Sequence, residues 1–88
     1  MNKQEQLLNE QRCMIDELDD LLINIFSLRL NVVKEIGLIK KTHGLDIDDD
    51  NRELMIINKI KEKHLNDEKQ VLALYQLIFN LSKEIQEI

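Results

Sequence analysis

Proline and tryptophan are absent from this 88-residue chain, glycine occurs twice, and Phe26, Tyr75 and Phe79 are its only aromatic residues. Strands usually recruit β-branched and aromatic side chains and need turn punctuation, so the profile favours helices. Cys13 is alone, which excludes an intrachain disulfide and a cysteine-based zinc site. His43, His64 and Cys13 lack metal-ligand spacing, so no metal is expected. No glycine-rich phosphate loop and no Ser/His/Asp or Cys/His arrangement stands out. No apolar run approaches the ~18–20 residues that span a bilayer. The polar opening MNKQEQLLNEQR has no apolar signal core, so the expected location is the cytoplasm. Twelve cationic against seventeen anionic side chains give a net charge of −5, which argues against a nucleic-acid or anionic-membrane partner.

What is present is 43% hydrophobic and 33% charged, a globular balance for a single domain over residues 1–88. A lone core of this size is marginal, so association with a second copy is plausible from the start. Apolar residues alternate three and four apart at Ile15, Leu18, Leu22, Ile25, Val32, Ile36 and Ile39, with Arg29 in the one remaining place. The spacing predicts a helix from about Gln4 to Thr42, about 57 Å long at 1.5 Å per residue. A rod of that length needs coiled-coil-like support, and a second chain is the natural source. Gly44 suits a left-handed C-terminal cap after Lys40, Lys41 and His43. Asp48, Asp49, Asp50 and Asn51 offer N-caps for a second helix over about 51–63, and Asp50 and Glu53 have capping-box spacing. Leu54, Ile57 and Ile60 would face inward. A third helix is capped by Asn66 or Asp67, with Val71, Leu72, Tyr75, Ile78, Phe79 and Ile85 apolar. Ser82 interrupts that stripe and Gln86 lies one turn beyond it. The expected architecture is all-α, with one very long helix and two shorter ones per chain.

Several polar residues stand where apolar ones would be expected. An unpaired buried guanidinium at Arg29 would cost several kcal/mol, and the positions three and four residues away are Ile25, Phe26, Val32 and Val33. Its negative partner must come from elsewhere in the fold or from a ligand. Lys40 lies about three turns further on, projecting from nearly the same face about 16 Å away, so the two could bracket a small anion. Arg12 is too distant to join them within one copy, but an antiparallel partner could bring its own Arg12 alongside. Gly37 sits inside the helix, where glycine costs about 1 kcal/mol against alanine. Close packing is the commoner cause and room for a ligand the other.

These residues, carried by QRCMIDELDDLL, RLNVVKEIGLIKK, DDDNRE and SKEIQ, resemble the all-helical chorismate mutases over about Leu7 to Gln86. Eight separated polar positions match together: Arg12, Arg29, Lys40, Asp49, Arg52, Glu53, Ser82 and Gln86. The resemblance implies an intertwined homodimer with no cofactor, converting the dicarboxylate chorismate to prephenate on the way to phenylalanine and tyrosine. It implies that Arg29 and the partner's Arg12 hold the two carboxylates, with Ser82 assisting. Lys40 and Gln86 would donate to the ether oxygen whose bond breaks, and Glu53 would accept from the ring hydroxyl. Asp49 and Arg52 would complete and orient the site. A pericyclic reaction needs no nucleophile, consistent with the lack of one.

Two other readings share the fold. Isochorismate-pyruvate lyases use a similar cationic pocket, but members of that group typically carry an apolar residue where this chain has Glu53. A non-catalytic dimerisation or regulatory module would have little reason to keep all eight side chains. The chain departs from the family pattern at Lys83, where an apolar neighbour to Ser82 is expected.

Overall fold

A computed structural model describes residues 2–87. It is all-α, with α1 at Lys3–Thr42, α2 at Asp50–Glu62 and α3 at Glu68–Glu87, and no strand among the described residues. None of these helices is long and apolar enough to cross a membrane.

The helix ends follow from local hydrogen bonding. α1 starts one residue before the expected Gln4 because the Asn2 side chain accepts from the Glu5 backbone N–H at 2.8 Å, an N-cap that the apolar pattern does not reveal. Its far end closes as expected. Gly44 takes a φ of 65°, the Leu45 N–H donates to the Lys40 carbonyl at 2.8 Å and the Gly44 N–H to Lys41 at 3.4 Å. That is the paired 6→1 and 5→2 closure of a Schellman motif. For α2 the cap is Asp49, whose carboxylate accepts from the Arg52 N–H at 3.0 Å. Asp50 is already helical, so the anticipated Asp50–Glu53 box does not form. α2 ends against His64, which carries a φ of 51°. The Asp67 carbonyl accepts from the Val71 N–H at the start of α3.

The chain divides into two compact units, Met1–Asn31 and Val32–Ile88. In the first, Asn9, Phe26, Arg29 and Leu30 are half-buried and the other described residues are exposed. In the second, Val33, Gly37, Ile60, Phe79 and Ser82 are buried, and Tyr75 meets Phe79 edge-on with ring centroids 5.9 Å apart. Along α3, Val71, Leu72, Ile78 and Ile85 are half-buried, as the sequence pattern anticipates. On α2, Ile60 and Ile57 turn inward, but Leu54 stays exposed, and Glu53 and Ile56 are half-buried instead.

The apolar row of α1 does not form this chain's core. Leu18 and Ile25 are each 61% exposed and Val32 is 59% exposed. The buried positions are Val33 and Gly37, each one residue beyond the expected Val32 and Ile36. One residue turns a helix by about 100°, so α1 carries a second inward face beside the regular apolar row. The chain covers that second face and leaves the regular row bare.

Candidate functional site

Six of the eight predicted residues belong to the second unit, drawn from the end of α1, the start of α2 and the end of α3. Lys40 is half-buried, and its ammonium donates to the Ile47 carbonyl at 2.8 Å. An ammonium carries three donors. One of them is therefore committed to the connection between α1 and α2, which fixes the reach of the side chain.

Asp49 and Arg52 meet through the cap, where the Asp49 carboxylate receives the Arg52 backbone N–H. This bond leaves the Arg52 guanidinium on the exposed start of α2. Glu53 stands in the same first turn, where the helix dipole favours an anion. Its side chain is only 20% exposed, and its carboxylate lies 3.5 Å from the Lys83 ammonium, which also reaches Asp48 at 3.7 Å. Partial desolvation pulls the Lys83 pKa down. The charges of Glu53 and Asp48, a hydrogen bond to Glu53 and the charge of Asp50 outweigh it and hold the pKa above the ordinary lysine value. The folded-state value is the higher one, so the stabilisation is fully present below the unfolded value and fades as pH rises through the folded value. It is intact at neutral pH.

Ser82 and Gln86 occupy successive turns of α3. Ser82 is 9% exposed, and its carbonyl accepts from the Gln86 amide Nε2 at 3.1 Å. Gln86 Oε1 is buried without a partner among the described residues, a cost of about 1–3 kcal/mol for an orphaned acceptor. Gly37 accounts for how closely Gln86 approaches α1. A Cβ at position 37 would come within 3.1 Å of Gln86 Cα and 3.2 Å of its Cγ. Of the two readings of this glycine, the close approach is the one observed, and the neighbour is itself a predicted site residue. Helix α3 continues through Gln86 to Glu87.

Arg12 and Arg29 lie in the first unit, Arg12 exposed and Arg29 half-buried. An open cleft of about 420 Å³ is lined by Lys34, Gly37, Leu38, Lys41, Ile85 and Gln86. Only Gln86 of the predicted residues touches it, so it is not the predicted pocket. Among the described residues no group of three or more His, Cys, Asp and Glu is placed to hold a metal.

Two polar contacts of the site escape sequence reasoning, as does Gln86 as the neighbour of Gly37. The Lys83–Glu53 pair joins residues thirty positions apart on different helices, beyond any local spacing rule; the one signal was the charge at Lys83 where an apolar residue was expected. The Ile47 carbonyl is a backbone group and leaves no mark in the sequence at all.

The family described as chorismate mutase type II matches residues 11–87. A relative named chorismate mutase, from Methanocaldococcus jannaschii, is 29% identical over 83 residues, covering 91% of this chain and 84% of the relative. The chain belongs to the chorismate mutase type II family. It is accordingly an enzyme, of the isomerase class.

Proposed function

We propose that this protein rearranges chorismate to prephenate, supplying phenylalanine and tyrosine synthesis, and that it does so as an intertwined homodimer. The family match across residues 11–87 carries the reading. The reaction needs a flexible dianion held in a chair-like shape, with partial negative charge stabilised on the breaking ether oxygen. Arg29 and Arg12 of the partner subunit bind the two carboxylates, and Ser82 assists. Lys40 and Gln86 donate to the ether oxygen, Glu53 accepts from the ring hydroxyl, and Asp49 and Arg52 orient the site. Holding the substrate in the reactive shape contributes several kcal/mol. Donors fixed in advance in a water-poor site stabilise charge where it develops.

The half-buried, backbone-tethered Lys40 suits such a preorganised donor. The bare row of Leu18, Leu22, Ile25 and Val32 supports a second copy as its cover, since large contiguous apolar surface is seldom left to water. The test is direct. Purified protein incubated with chorismate consumes its absorbance and yields prephenate; an unchanged absorbance removes this reading. Release of pyruvate from isochorismate at the higher specificity constant transfers the chain to lyase chemistry.

The Gly37 contact supplies a second expectation. Gly37→Ala gains about 1 kcal/mol of helix propensity, and overpacking against Gln86 costs about 1–3 kcal/mol, so the melting temperature changes little or falls modestly. The last turn of α3 yields by a few tenths of an ångström. Turnover drops by roughly ten-fold through the displaced Gln86 amide, given that a 1 Å misplacement costs about a hundred-fold. Steady-state kinetics beside a thermal melt separate the two effects, and full activity would detach Gln86 from this contact.

A further inference from the structure

We propose that Lys83 is a positioning residue: its ammonium, held between Glu53 and Asp48, fixes the Glu53 carboxylate as acceptor for the substrate's ring hydroxyl. The inference rests on the chorismate reading of the site. Its basis is geometric. Lys83 Nζ lies 3.5 Å from Glu53 Oε2 and 3.7 Å from Asp48 Oδ1. Glu53 is anchored on the first turn of α2, Asp48 on the approach to it, and Lys83 on α3 directly after the buried Ser82.

Most surface ion pairs do little because both partners are mobile and wet. Here the glutamate side chain is 20% exposed and the lysine side chain 33% exposed, so one end is largely withdrawn from water. A carboxylate with two oxygens can be turned by a cation on one of them and still accept through the other. Lys83 engages Oε2, which would leave Oε1 for a hydroxyl donor. The same cation would also offset the charge that Glu53 presents to an incoming dianion. Without it, Glu53 would present an uncompensated negative charge to a doubly negative substrate.

The ring hydroxyl takes no part in bond breaking, so its contact is made alike in the ground state and the transition state. Loss of such a contact raises KM and leaves kcat nearly unchanged. Lys83→Gln therefore raises KM for chorismate about ten-fold, the scale of a lost hydrogen bond involving a charged group, with kcat within about two-fold. Lys83→Arg, which keeps the cation, restores most of the affinity. In a Glu53→Gln background the Lys83→Gln change adds little, because the group being positioned is already altered.

A merely structural role predicts a different pattern. A loosened helix contact lowers the active fraction, and hence apparent kcat, equally in both backgrounds, and arginine does not rescue it selectively. Unchanged KM in Lys83→Gln, or full additivity with Glu53→Gln, overturns the proposal. Wild-type protein that leaves chorismate intact fails the functional reading itself, so the two failures are distinguishable in one set of assays.

Discussion

Lys40→Ala lowers kcat for chorismate by about 10²–10³-fold, the usual effect of removing one preorganised donor from a site of developing charge, while far-UV circular dichroism stays helical. The fold tolerates the change because the lysine's visible structural task is one bond to the Ile47 carbonyl. The net value of such a bond is about 1 kcal/mol or somewhat more for a charged donor. α1 continues past Lys40 to Thr42 and keeps its glycine closure at Gly44, so the helix end does not depend on the side chain. The loss should appear in kcat more than in KM, since the ether oxygen becomes a strong acceptor only as its bond breaks. Steady-state kinetics on the variant and a melt followed by circular dichroism supply both readouts. Retention of more than about a tenth of wild-type turnover is too small a loss for this role.

Arg12→Ala and Arg29→Ala are each expected to be inactive alone and to recover activity when unfolded and refolded together. Arg12 is exposed on its own chain. In the proposed dimer each site takes Arg29 from one copy and Arg12 from the other. A mixed dimer then holds one intact site and one doubly altered site. Random mixing makes half of the dimers mixed, so recovery approaches about a quarter of wild-type activity. Two altered proteins whose sites lie wholly within single chains give no recovery. Sedimentation of the unaltered protein as a monomer at assay concentration would independently deny the shared site. Recovery in that experiment would also account for the bare apolar row, because that row and Arg12 lie on one helix.

The helices were legible where their signals are local. Gly44 after a basic turn marked the end of α1, and the run of acids at 48–50 marked the start of α2. Choosing Asp49 rather than Asp50 as the cap depends on backbone angles, and an acidic run offers several equivalent oxygens. The α1 periodicity identified a true apolar row but not its cover. Two adjacent faces of one helix, through Val32–Ile36 and through Val33–Gly37, differ by one residue, and composition alone does not say which a chain buries against itself. At the site, residue types matched to the family were readable one by one. Their tethers were not: Ile47 acts through its carbonyl, and Lys83 pairs with Glu53 only after two distant helices come together. Gly37 was readable as an anomaly, but nothing local in the sequence pairs it with Gln86, forty-nine residues further along and on another helix.

The Lys40–Ile47 bond has a consequence for the connection that carries it. Segments between helices are ordinarily the most forgiving parts of a protein, absorbing insertions at little cost. This one behaves as a measuring rod, since the carbonyl at 47 meets the ammonium only if the intervening chain keeps its length. Adding or deleting a single residue between Gly44 and Ile47 would shift that carbonyl and slacken the lysine, although Lys40 itself is untouched. Grafting or tagging at that bend, a natural choice for an engineer, is therefore a worse option than the surface of α2.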